Sequence, residues 1–166
     1  MTRLQQAAYD AQLAAGLPIS PLATAILALD ARLITVEHCA SYIDTIQQMP
    51  WFRAAFPAHS VLLHIIGGRG ISHADARRSQ IKVGATDRQS PARCEHACLH
   101  ELAHIVSSDY ADDGVLREPK LGRASSKGHH EAWRVNFVFI VRMVLGGQAA
   151  ARLRREFNQW GLPTRK

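Results

Sequence analysis

The chain has 166 residues, a formal charge of +6, 47% hydrophobic and 20% charged side chains. That is enough chain for one domain with its own hydrophobic core, and the composition excludes a disordered or low-complexity protein. The positive excess permits contact with nucleic acid or an anionic surface, but it clusters only at Arg77-Arg78, Arg152 to Arg155 and Arg165-Lys166, the pattern of a solvated basic surface.

Three cysteines, Cys39, Cys94 and Cys98, make an odd count without a disulfide framework, which points to reduced thiols in a cytosolic compartment. The opening MTRLQQAAYDAQLAAGL lacks the apolar core of a secretory signal. The longest apolar run, Val135 to Leu145, is short for a membrane span and contains Arg142. The expectation is a cytoplasmic, soluble single domain over residues 1–166 with no membrane partner.

The elements follow in chain order. Residues 1–58 read as a helical N-terminal part. Arg3 to Ala15 is rich in helix formers. After Gly16, Pro18 and Pro21, Leu22 to Leu29 reads as a second, short helix. Thr35 is a cap for a third helix, Val36 to Gln48, with Cys39, Ala40, Ile43 and Ile46 at helical spacing. Pro50 ends it, and Trp51, Phe52 and Phe56 read as an anchor against the core.

Strands are expected within 60–84. Val61 to Ile66 is β-branched and aliphatic, bounded by Gly67-Gly68, and reads as a buried strand. Gly70 to Arg78 reads as a polar connection, and Gln80 to Gly84 as a second strand with one wet face. Ser90-Pro91 is a helix start, a serine cap followed by proline at the first helical position, and the helix should run over 90–107. Asp109 to Lys127 reads as a polar loop. Residues 130–160 hold the C-terminal helices: His130 to Leu145, stopped by Gly146-Gly147, then an amphipathic Gln148 to Trp160. There is no internal repeat.

The chemistry lies in Cys98-Leu99-His100-Glu101-Leu102-Ala103-His104-Ile105-Val106. His100-Glu101-x-x-His104 sets two imidazoles nearly one helical turn apart, so both project from one face as two ligands of one tetrahedral zinc ion. Glu101, one position along, is placed to hold and deprotonate the metal's water ligand. A cation explains why a polar trio is tolerated in an apolar helix. The metzincin extension would need Gly and His where Ser107 and Tyr110 stand, so that class is excluded. A catalytic zinc needs a third protein ligand, and Gly128-His129-His130-Glu131-Ala132-Trp133 offers His129, His130 or Glu131.

HELAHIV followed by GHHEAW resembles the HExxH…HGxxF/W arrangement of SprT-like zinc proteases. It is similar still more closely to a small family of metallohydrolases reported mainly from actinobacteria and their phages. That likeness runs nearly end to end, through RLQQAAYDAQ, MPWFRAAFP, the HELAH helix and VRMVLGGQAAARLRREFNQWGL. The resemblance implies an α+β fold: a small zincin-like single domain with a short β-sheet packed on the HExxH helix and flanking N- and C-terminal helices. It implies His100, His104 and His129 as ligands of Zn2+ and Glu101 as catalytic base. The family has glycine after the third histidine, where His130 stands here.

The expected activity is metallopeptidase hydrolysis of an amide or peptide bond in a peptide or protein substrate. Tyr110, His130 and Arg134 are the local candidates for oxyanion stabilisation. An alternative is a SprT-like protease acting on DNA-associated proteins, although no zinc ribbon or basic tail provides a nucleic-acid module. The other is a non-catalytic binding protein stapled by its metal. His96 reads as a surface or supporting histidine, His64 as a satisfied core histidine, and His73 and Asp75 as loop residues without a catalytic role. Cys94 and Cys98 read as small packing residues, and Trp133, Phe137 and Phe139 as core.

Overall fold

The computed structural model describes residues 3–28, 34–59, 62–108 and 129–164. It is a mixed α+β arrangement in which seven α-helices among the described residues surround a three-stranded sheet. The expected loop from Asp109 to Lys127, with Tyr110, lies outside the described residues.

Helix α1, Arg3–Ala14, presents Ala8 and Ala11, with Ala15 beyond its end, as a fully buried stripe of small side chains. That stripe lets α1 pack closely on α7, Gly147–Gln159, whose apolar face is Ala149, Ala150, Leu153 and Phe157. α2, Pro21–Leu27, starts on a Ser20 cap, and α3, Val36–Gln48, on a Thr35 cap, as the sequence indicates. Pro50 does not simply end α3. It is the first residue of a further short helix, α4 (Pro50–Ala55), the position where proline's missing N–H costs nothing. Phe52 within it is buried, and Trp51 and Phe56 both pack edge-on against Phe139 of α6.

The strands depart from expectation in two ways. The first, β1, is His64–Gly68 rather than 61–66, and it lies at the sheet edge with most residues exposed rather than buried. His64 is accordingly exposed and not a core histidine. Gly67 and Gly68 sit inside the strand, paired with Val83 and Gly84 of β3, Gln80–Gly84. A Cβ on Gly68 would only push aside the flexible Lys82 side chain, whereas one on Gly84 would fall 2.1 Å from the Gly70 carbonyl oxygen, so glycine is required there. The second departure is β2, His73–Asp75, in the segment expected to be a polar connection; it pairs antiparallel with β3. The order β1-β3-β2 puts β3 at the centre, and its Ile81 and Val83 are completely buried.

The sheet packs through β2 and β3 on α5, Pro91–Val106, the central helix of the fold. The other side of α5 meets α6, Glu131–Leu145, where Trp133 stacks on Phe137 and both touch Phe157. Gly146, at φ +93°, makes the one-residue corner between α6 and α7. A buried carboxyl ties three helices together: Glu95 of α5 accepts the Ser20 N–H (2.8 Å), the Ser20 hydroxyl and the Tyr42 hydroxyl (2.5 Å). All of its donors come from α2's cap and from α3, so this polar group is satisfied where it is buried. No described helix is long and apolar enough to cross a membrane.

Candidate metal centre

α5 starts where Ser90 accepts the Arg93 N–H, with Pro91 at its first position. Three turns on, His100 and His104 leave the same face, their ring centroids 5.1 Å apart. His129 arrives from outside α5, one residue before the cap of α6. Its ring centroid lies 4.9 Å from that of His100 and 4.8 Å from that of His104. One ligand atom from each of the three lies within 4.8 Å of the others. The structure thus brings His129 to the HExxH pair and leaves the other two candidates elsewhere. His130 is the N-cap of α6, its Nδ1 accepting the Trp133 N–H at 3.4 Å, and Glu131 is exposed in the first turn of that helix.

His129 stands at φ +73°, a left-handed conformation that costs a non-glycine residue on the order of 1–2 kcal/mol. Arg134 holds it there. Its Nη1 donates to the His129 carbonyl at 2.7 Å, while Nε and Nη2 donate to the Pro163 carbonyl at 3.3 and 3.2 Å. The guanidinium is therefore engaged with backbone, and Arg134 positions a candidate ligand rather than facing a reacting oxygen.

Two residues of α1 complete the surroundings, and neither was identified from sequence. The His100 Nδ1–H donates to Gln12 Oε1 at 2.8 Å, which fixes the tautomer and leaves the Nε2 lone pair facing His129. The Tyr9 ring stacks on His100, with centroids 4.9 Å apart and planes 16° apart, and meets His129 edge-on. On the α6 side Trp133 stacks on His104 and donates its indole N–H to the His100 carbonyl at 3.3 Å. Tyr9 and Gln12 lie three residues apart on one face of α1, but only the packing of α1 beside α5 reveals their role.

Zinc fits this donor set. The Nε2 atoms of His100 and His129 are 2.9 Å apart, close to the edge of about 3.3 Å expected between two nitrogens held about 2.05 Å from a tetrahedral zinc. Burial, reinforced by His104 and His129, holds His100 well below the usual histidine range. Burial, with His129 and His130, pushes His104 down to about 3. Both are neutral, the form in which imidazole binds a metal.

Glu101 faces the sheet side of the cluster, only 3% exposed, with the Ala74 N–H of β2 acting to favour its charged form. Burial, aided by the charge of Asp87 and opposed by that N–H, pushes it up to about 8. Tyr9 is pushed up to about 12 by burial and by the neighbouring Glu101 and Asp87, so its hydroxyl stays protonated at neutral pH.

These shifts set a pH signature for metal-free protein. Between about 3 and 6.5 the unfolded chain binds more protons at His104 than the folded one, with His100 acting in the same direction, so stability rises with pH. Between 4.5 and about 8 the folded chain binds more protons at Glu101, so that contribution falls as pH rises. From these three groups alone, two rising contributions against one falling one put the maximum near pH 6.5, checked by urea midpoints from pH 4 to 9 in chelator with Cys39, whose thiol is also held down, replaced by alanine. A separate expectation concerns Gln12→Ala, which leaves the ligands intact but frees the His100 ring. Zinc affinity should fall by about 10- to 100-fold in competition with a chromophoric chelator, with little change in fold.

The chain matches no protein-family model, no curated protein and no solved structure.

Proposed function

We propose that this protein is a zinc-dependent hydrolase of amide or peptide bonds. The observation that carries the reading is the convergence of His100, His104 and His129 beside a buried Glu101. Zinc held by these three imidazoles would supply Lewis acidity toward a carbonyl and toward a bound water, whose pKa it would bring to about 7. Glu101 takes the proton of the attacking water and passes it to the leaving nitrogen. A carboxyl pushed up to about 8 is mostly protonated at neutral pH, and a neighbouring cation favours the carboxylate needed for this role. Trp133 and Tyr9 wall the histidines with aromatic rings, which limits bulk water around the reacting groups. Tyr9, a protonated hydroxyl close to Glu101, takes the oxyanion-donor role for which Arg134 and His130 are already engaged with backbone. The test is zinc analysis of the wild type and its His129→Ala variant, paired with a peptide-library cleavage screen. Zinc-independent cleavage, or none from zinc-loaded protein, would reject the reading.

A second reading, a metal that only staples the fold, draws on the burial of His100 (2% exposed) and His129 (3% exposed). Cobalt-substituted protein separates the two: a visible spectrum that shifts on adding a hydroxamate indicates an open coordination position, and an unchanged spectrum indicates a closed one.

A further inference from the structure

We propose that Cys39, Cys94 and Cys98 form a second metal site, a buried three-sulfur cage for a soft, thiophilic cation of the cuprous class. All three cysteines of the chain lie in this one cluster. Cys94 and Cys98 leave α5 one turn apart, and Cys39 comes from α3; their sulfurs lie within 4.8 Å of one another, with Cys39 Sγ 3.3 Å from Cys94 Sγ. None is more than 1% exposed. The pair on α5 reads from sequence as packing, and it is the arrival of a third sulfur from another helix that changes the chemistry. Packing alone asks only for small apolar side chains there, and alanine would serve.

The ligand set selects the ion. Zinc in a structural site takes four protein ligands, whereas only three ligand atoms meet here among the described residues, and the nearby Glu95 carboxyl is occupied by Ser20 and Tyr42. Soft thiolates without oxygen or nitrogen partners favour Cu(I). The charge is manageable as well. Arg88 is a cationic group that acts on Cys39, and its Nε is buried without a hydrogen-bond partner among the described residues. Binding one cuprous ion to three thiolates releases three thiol protons. The ion and the Arg88 guanidinium offset two of the three thiolate charges, with no change of oxidation state.

The cysteine pair and the histidine pair lie on different faces of α5, their centres about 120° apart around the helix. An ion in one site therefore need not displace an ion in the other.

The test is anaerobic titration of the full chain with cuprous ion against a chromophoric cuprous chelator, in the presence of a phosphine reductant. One equivalent should be captured, and Cys39→Ala or Cys98→Ala should each weaken capture by more than about 100-fold, beyond the loss typical of disturbing a supporting residue. Copper X-ray absorption on the wild type should report sulfur neighbours only. That measurement decides the matter even if an alanine variant does not fold. Nitrogen in the copper coordination shell, capture unaffected by either substitution, or copper that stays with the chelator while all three thiols are reduced would each overturn the proposal.

Discussion

Glu101→Gln should retain one equivalent of zinc and lose hydrolytic turnover by about 10²- to 10⁴-fold, the span of one general acid–base group. Glutamine matches glutamate in size and shape and brings no charge to this buried position, so the fold should be unchanged. Because Glu101 is not among the three clustered donors, metal content is expected to stay at the wild-type level. Elemental analysis and kcat on a peptide identified by the cleavage screen make the comparison. A variant that keeps both zinc and full turnover would remove Glu101 from the reaction.

His129→Ala should have the largest effect on metal binding. The remaining pair, His100 and His104, leaves zinc with two protein ligands, so zinc content should fall from one equivalent towards none. The metal-dependent stabilisation goes with it: in wild type at free zinc about 1,000 times Kd, mass action predicts about 4 kcal/mol, and in the variant close to nothing. His130→Ala is the matched control. It removes the cap on Trp133 N–H and should cost about 1 kcal/mol while zinc content is preserved. Thermal melts with and without zinc separate the two neighbours. Equal zinc loss in both variants would mean that the choice between these adjacent histidines is wrong.

Most helices could be read from local chemistry. Ser90-Pro91 announces α5, Thr35 announces α3, and the apolar spacing of residues 131–145 marks α6 to within a residue, because caps and periodicity act over one or two turns. The sheet was less legible. β2 is three residues of mixed polarity whose only strand signal is its pairing with β3, and β1 extends into a Gly-Gly pair that local rules treat as a boundary.

The candidate site divides along the same line. His100, Glu101 and His104 are fixed by spacing along one helix, so the sequence alone determined that two imidazoles share a face with a carboxyl one position away. Everything reached across the chain was decided by tertiary structure. His129 rather than His130 or Glu131 turns inward because its left-handed backbone is clamped by Arg134. Gln12 lies 88 residues from the histidine it orients, and Cys39 lies 55 residues from the sulfur it touches. Side-chain periodicity registers which face of a helix is buried, but not which other helix covers it. That choice depends on the packing of small-residue stripes such as Ala8, Ala11 and Ala15, and many arrangements of helices satisfy such a stripe equally well until the whole core is assembled.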